Sequence, residues 1–79
     1  MQRKIFRTLL RKEPEGGYTV IVPLLPGCVT YGATMEEAVA MSKEAIELYL
    51  EGLIARNEPI PSDENVFEYM VTLEDKKYA

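Results

Sequence analysis

The stretch Tyr18-Thr19-Val20-Ile21-Val22-Pro23-Leu24-Leu25-Pro26-Gly27-Cys28-Val29-Thr30-Tyr31-Gly32-Ala33-Thr34-Met35-Glu36-Glu37-Ala38 decides the fold, because two β signals, a break and a helix start follow one another in it. Tyr18, Val20 and Val22 alternate with Thr19 and Ile21, which predicts a strand over residues 18–23. Pro26 has no N–H to give a ladder and Gly27 tolerates positive φ, so the β pattern breaks there and resumes as a short strand over 28–31. Thr34 then offers an N-cap hydroxyl, and Glu37 three residues on offers the reciprocal carboxylate of a capping box. Glu36 and Glu37 also sit at the positive end of the helix dipole. A helix is expected from Met35 to about Arg56, roughly 33 Å at 1.5 Å per residue. Asn57, Pro59 and Pro61 end it.

Working outward, residues 3–12 alternate in two rows, Ile5 and Leu9 against Phe6 and Leu10, and lead into the turn-forming Pro14-Glu15-Gly16-Gly17. This predicts a first strand hairpinned to the second. Residues 65–73 read as a fourth strand, with Phe67, Tyr69, Val71 and Leu73 on one side and Val66 and Met70 on the other. The third strand, helix and fourth strand form a crossover long enough to join parallel strands, and such crossovers are right-handed. The expected architecture is α+β, β-β-β-α-β: a four-stranded, mainly antiparallel sheet of order 3-2-1-4 with one long helix on one face. A simple four-strand meander is the alternative.

Seventy-nine residues make one domain, residues 1–79, and 47% apolar content with five Tyr and two Phe is too hydrophobic for a disordered segment. A chain this short lies near the lower limit of autonomous folding, so a partner subunit matters for stability. One Cys and no His exclude a disulfide framework and a zinc constellation and suit a reducing compartment. Neither a signal peptide nor a membrane span is recognisable, and a soluble cytoplasmic protein is expected. Charge is polarised. Arg3, Lys4, Arg7, Arg11 and Lys12 lie in the first twelve residues, whereas the other four basic and all thirteen acidic residues follow, a net of −9. The acidic part favours a basic partner, and a basic strand without aromatic or amide readout argues against nucleic-acid binding.

Projected at 100° per residue, Met35, Ala38, Val39, Ala45, Ile46, Tyr49, Leu50 and Leu53 form the core-facing side of the helix. Glu36, Glu37, Glu44, Glu47 and Glu51 gather opposite with only Lys43 among them, and Glu44, Glu47 and Glu51 are the candidate partner-binding residues. Met41, Leu48 and Gly52 lie between the two sides as a candidate oligomer interface. One helix covers one sheet face only, so strands apolar on both sides imply a homodimer or larger assembly. Cys28 reads as a small buried residue, Tyr18 as a packing residue rather than an RNA-stacking one, and Pro26-Gly27 as a bend.

Gly17-Tyr18-Thr19-Val20, Pro23, Leu25-Pro26-Gly27-Cys28, Gly32, Thr34-x-Glu36-Glu37-Ala38 and Pro59-Ile60-Pro61, in this order and spacing, resemble the HicB antitoxin family over roughly residues 3–73. The resemblance implies a partial RNase H-like domain that binds and neutralises HicA, a small basic mRNA-cleaving toxin with a double-stranded-RNA-binding-like fold. It equally fits a self-associating HicB-like domain without a cognate toxin. Repressor members of the family continue into a DNA-binding segment; only Glu74–Ala79 follows the fourth strand here, so direct operator binding is not expected. No enzymatic activity, catalytic residue, metal or cofactor is expected either. A two-metal nuclease needs carboxylates converging from strand and helix ends, but Glu13 and Glu15 lie in a turn and Asp63 and Asp75 flank the fourth strand without acidic partners.

Overall fold

Three short strands and one helix, β1 (Leu9–Lys12), β2 (Tyr18–Ile21), β3 (Val29–Gly32) and α1 (Met35–Ala55), make up the regular structure in a computed structural model that describes residues 3–74. Asp75 lies outside the described residues. The sheet is antiparallel throughout, in the order β1-β2-β3, and the fold is α+β. Its register aligns Leu10, Val20 and Thr30 in one row and Leu9, Ile21 and Val29 in the next. The period of two sends these rows to opposite faces. Val20 is fully buried, while Leu9, Ile21 and Val29 remain exposed on the uncovered face.

The helix is built as its caps dictate. The Glu37 N–H donates to Thr34 Oγ1 at 3.1 Å, while the Glu37 carboxylate accepts from the Ala33 N–H at 2.6 Å, one residue earlier than the reciprocal bond of a standard capping box. At the other end Asn57 takes φ 58, and the N–H groups of Asn57 and Glu58 donate to the carbonyls of Ile54 and Leu53, a Schellman closure with Asn in place of the usual glycine. The helix docks through small residues. Ala38 and Ser42 are buried along its contact line, and the Ser42 hydroxyl donates to the Val39 carbonyl at 2.6 Å. Gly32 admits this approach, because a Cβ there would clash with the Ala38 backbone nitrogen. The contact line is therefore rotated from the one expected: Met35 and Val39 are half exposed, and Ser42 takes a central place.

The main hydrophobic cluster is Val22, Leu25, Cys28 and Leu53, with Phe6, Ala45, Ile46, Tyr49 and Leu50 packed around it. Val22, Leu25 and Cys28 all belong to the β2–β3 connection, which is more than an interruption. The Leu25 N–H donates to the Val22 carbonyl, the Cys28 N–H to the Leu25 carbonyl and the Val22 N–H to the Cys28 carbonyl, folding three apolar side chains inward. The Tyr49 hydroxyl fastens the helix to this loop by donating to the Pro26 carbonyl at 2.9 Å.

Two expected strands differ from the structure. The first begins only at Leu9, because the β1–β2 register ends at Leu9–Ile21 and the β2 backbone then turns to bond with Cys28, leaving residues 3–8 no ladder partner on that side. The second is the fourth strand. Residues 65–73 form none, and the order 3-2-1-4 reduces to the three strands β1-β2-β3. The approach to a fourth strand is present, since the Asp63 N–H donates to the Ile5 carbonyl at 2.6 Å. After the turn closed by Val66 N–H to the Asp63 carbonyl, however, the segment finds no ladder.

Candidate functional site

Glu44, Glu47 and Glu51 lie exposed on the outer face of α1, as their spacing demands, and among the described residues none of them forms an ion pair. Residues i, i+3 and i+7 fall within one narrow strip of a helix, so three unneutralised carboxylates line one face over two turns. A strip of this kind projects a negative field into solvent that falls off over a Debye length of about 8 Å at physiological salt.

Beside the strip the helix descends to the free edge of β3, and a groove of about 210 Å³ opens there, lined by Thr30, Met41, Glu44, Ala45 and Leu48. A second depression of about 240 Å³ adjoins it, lined by Val29, Ala45, Leu48 and Tyr49 together with Gly27 and Cys28. Leu48 separates the two and is 70% exposed, unusual for a leucine flanked by other apolar groups. The tertiary structure thus joins two sets of residues that the sequence treats separately, with Glu44 bordering the apolar groove of Met41 and Leu48. Gly52 does not belong to it. It is half buried, and the Arg56 guanidinium lies against the space a side chain there would take. Val29, more than half exposed at the β3 edge, extends the apolar surface, and sequence reading missed it; Tyr31 instead lies over Gly17, its hydroxyl donating to the Gly16 carbonyl at 3.0 Å.

The basic N-terminal segment is partly neutralised. The Arg7 guanidinium lies 3.7 Å from Asp63 and 3.6 Å from Glu68, and that of Arg11 lies 3.1 Å from Glu13. Glu13 accepts from the Thr19 hydroxyl as well as from Arg11, and these two bonds, the first foremost, hold its carboxyl below the usual carboxylate range. Cys28 is buried beside the helix, and burial pushes its thiol up, away from the thiolate that nucleophilic or redox chemistry requires. Tyr18 is half buried in the row that faces the helix. Among the described residues no three acidic or thiol side chains converge as a metal site would need, and no helix is long and apolar enough to cross a membrane.

Residues 6–79 match a protein family described as the HicB-like antitoxin of bacterial toxin-antitoxin systems. Among similar proteins, a UPF0150 protein of Synechocystis is 48% identical over 75% of both chains. A UPF0150 protein of Thermoplasma acidophilum is 47% identical over 73% of this chain and 84% of its own. An uncharacterized 14.9 kDa protein of Haemophilus phage HP1 is 37% identical over 78% of this chain but only 47% of its own length.

Proposed function

Because the chain belongs to the HicB-like antitoxin family of bacterial toxin-antitoxin systems, we propose that it neutralises a small basic HicA-type toxin by covering that toxin's RNA-facing surface. It supplies no chemistry of its own. The observation that carries the reading to particular residues is the juxtaposition of the unneutralised strip Glu44, Glu47 and Glu51 with the apolar groove of Met41 and Leu48. A protein that grips RNA presents cations on its binding face, and a surface that blocks it needs carboxylates to guide the encounter and an apolar patch to hold the docked complex. The proposal gives Met41 and Leu48 to the toxin, and thereby moves self-association off this flank. Such a toxin acts on mRNA, which places the chain in the cytoplasm.

The test is kinetic. Association with a HicA-type toxin is measured by surface-based interferometry at low and physiological salt, with mRNA cleavage read in parallel. Replacing Glu44, Glu47 and Glu51 by Gln is expected to slow association several-fold at low salt with little change in dissociation, whereas Leu48→Asp is expected to accelerate dissociation. A complex that leaves cleavage intact, or no complex at micromolar concentration, defeats the proposal. Inhibition insensitive to both sets of substitutions retains the antitoxin role and rejects this surface.

A further inference from the structure

The opposite flank of the helix holds a larger unfilled space. Between α1 and the segment leading into β1 lies a groove of about 410 Å³ whose walls include Phe6, Val39, Ile46 and Leu50, with Lys4, Lys43 and Glu47 at its rim. It lies beside the segment that precedes β1, and Val39 on its wall is half exposed for want of a cover. The strand that could fill it is also unpaired. Residues 66–73 alternate apolar and other side chains, yet Phe67 is 91% and Tyr69 is 88% exposed, Met70 equally so, and Val71 and Leu73 about two-thirds or more.

The chain delivers this segment to the mouth of the groove. Asp63, only 2% exposed, bonds through its N–H to the Ile5 carbonyl and through its carboxylate to the Arg7 N–H, beginning a pairing along the outer edge of residues 5–7 that residues 66–73 do not continue. The molecule is elongated as a result: its Cα radius of gyration is 15.3 Å, against about 12 Å for a compact chain of this length. Groove and segment match in polarity, an apolar wall facing an apolar row, while the rim carries both signs, Lys4 and Lys43 with Glu47.

We propose that residues 66–73 supply the fourth strand of a second copy of this chain, each protomer laying the row Phe67, Tyr69, Val71 and Leu73 into the other's groove in a reciprocal two-fold exchange. The groove and the segment belong to the same chain, so a two-fold axis satisfies both at once and leaves no surface open for further growth. Aromatic side chains bury about 150–250 Å² each. The four rings contributed by two protomers thus supply roughly half of the ~1,200–2,000 Å² of a stable interface. The exchange uses the Val39 and Leu50 side of the helix and leaves Met41 and Leu48 free; it shares only Glu47 with the acidic strip, and its test needs no toxin.

The test measures mass by light scattering on the full chain without any toxin, at micromolar concentration. Wild type is expected at twice the 9.0 kDa chain mass. Two variants are expected at half that dimer mass with the helical circular dichroism signal of α1 retained, since both alter exposed positions: Phe67→Asp with Tyr69→Asp, which disables the segment, and Val39→Glu, which disables the groove. Mixed, they are expected to form a one-to-one complex, because one retains a working groove and the other a working segment. A monomeric wild type, as closure onto its own groove would give, overturns the proposal. A dimer that survives both variants overturns it also, as does a mixture of two monomeric variants that fails to complement.

Discussion

Removing the Asp63 carboxylate probes the joint on which the C-terminal segment hangs. The Arg7 N–H donates to Asp63 Oδ2 at 2.9 Å in a partly buried setting, and the Arg7 Nε, itself buried and without a hydrogen-bond partner, faces the same oxygen at 3.7 Å. A hydrogen bond to a charged acceptor contributes about 1.5–3 kcal/mol. The ion pair adds about 1 kcal/mol or less, because the Arg7 side chain is 30% exposed and solvent screens it. Asp63→Ala should therefore cost about 2–4 kcal/mol, out of a total stability of roughly 4–12 kcal/mol for a chain of this size. Asp63→Asn keeps an amide oxygen for the Arg7 N–H and loses only the charge, so about 1 kcal/mol is expected. Urea unfolding followed by circular dichroism, at one fixed protein concentration, measures both midpoints with a common slope. In thermal terms each kcal/mol corresponds to about 4–8 °C in Tm for a domain of 60–100 residues. An Asp63→Ala midpoint equal to that of wild type would show that the joint carries no load. Equal losses in the two variants would show that the charge, and not the backbone hydrogen bond, holds it.

Gly32→Ala should destabilise by about 1–3 kcal/mol or more, since the new Cβ meets the Ala38 backbone rather than a side chain that can move. Ala38→Gly should not rescue it; recovery of the urea midpoint in the double variant would contradict the backbone clash. Glu13, with its carboxyl depressed in the folded state, contributes stability that is present above its unfolded pKa and lost as pH falls through the folded one. Thr19→Val should move that titration, followed by carboxyl NMR, upward toward the ordinary range, and an unmoved titration would assign the depression to Arg11 instead. Cys28 should react with a thiol reagent several-fold more slowly in the native chain than in urea. Equal rates would mean that the β2–β3 loop opens freely.

Features encoded within a few residues were legible in the sequence. The capped start of α1 at Met35, its end near Arg56 before Asn57, the hairpin at Gly16-Gly17 and the acidic strip Glu44, Glu47 and Glu51 all depend on local spacing, and the backbone builds them without consulting distant groups. The family followed from the same local motifs taken in order. Tertiary structure decided the rest. The helix settled on Ala38 and Ser42 because Gly32 let the backbones approach, which no periodicity in α1 announces. The loop residues Val22, Leu25 and Cys28 became core because three hydrogen bonds turned them inward together. Met41, Leu48 and Glu44 became one surface only when α1 was laid against the edge of β3. The segment 65–73 shows the division most plainly. Its alternation specifies which side chains share a face, a property of the extended backbone, but a strand exists only when another edge takes up its N–H and carbonyl groups, and no residue within the segment can provide that edge.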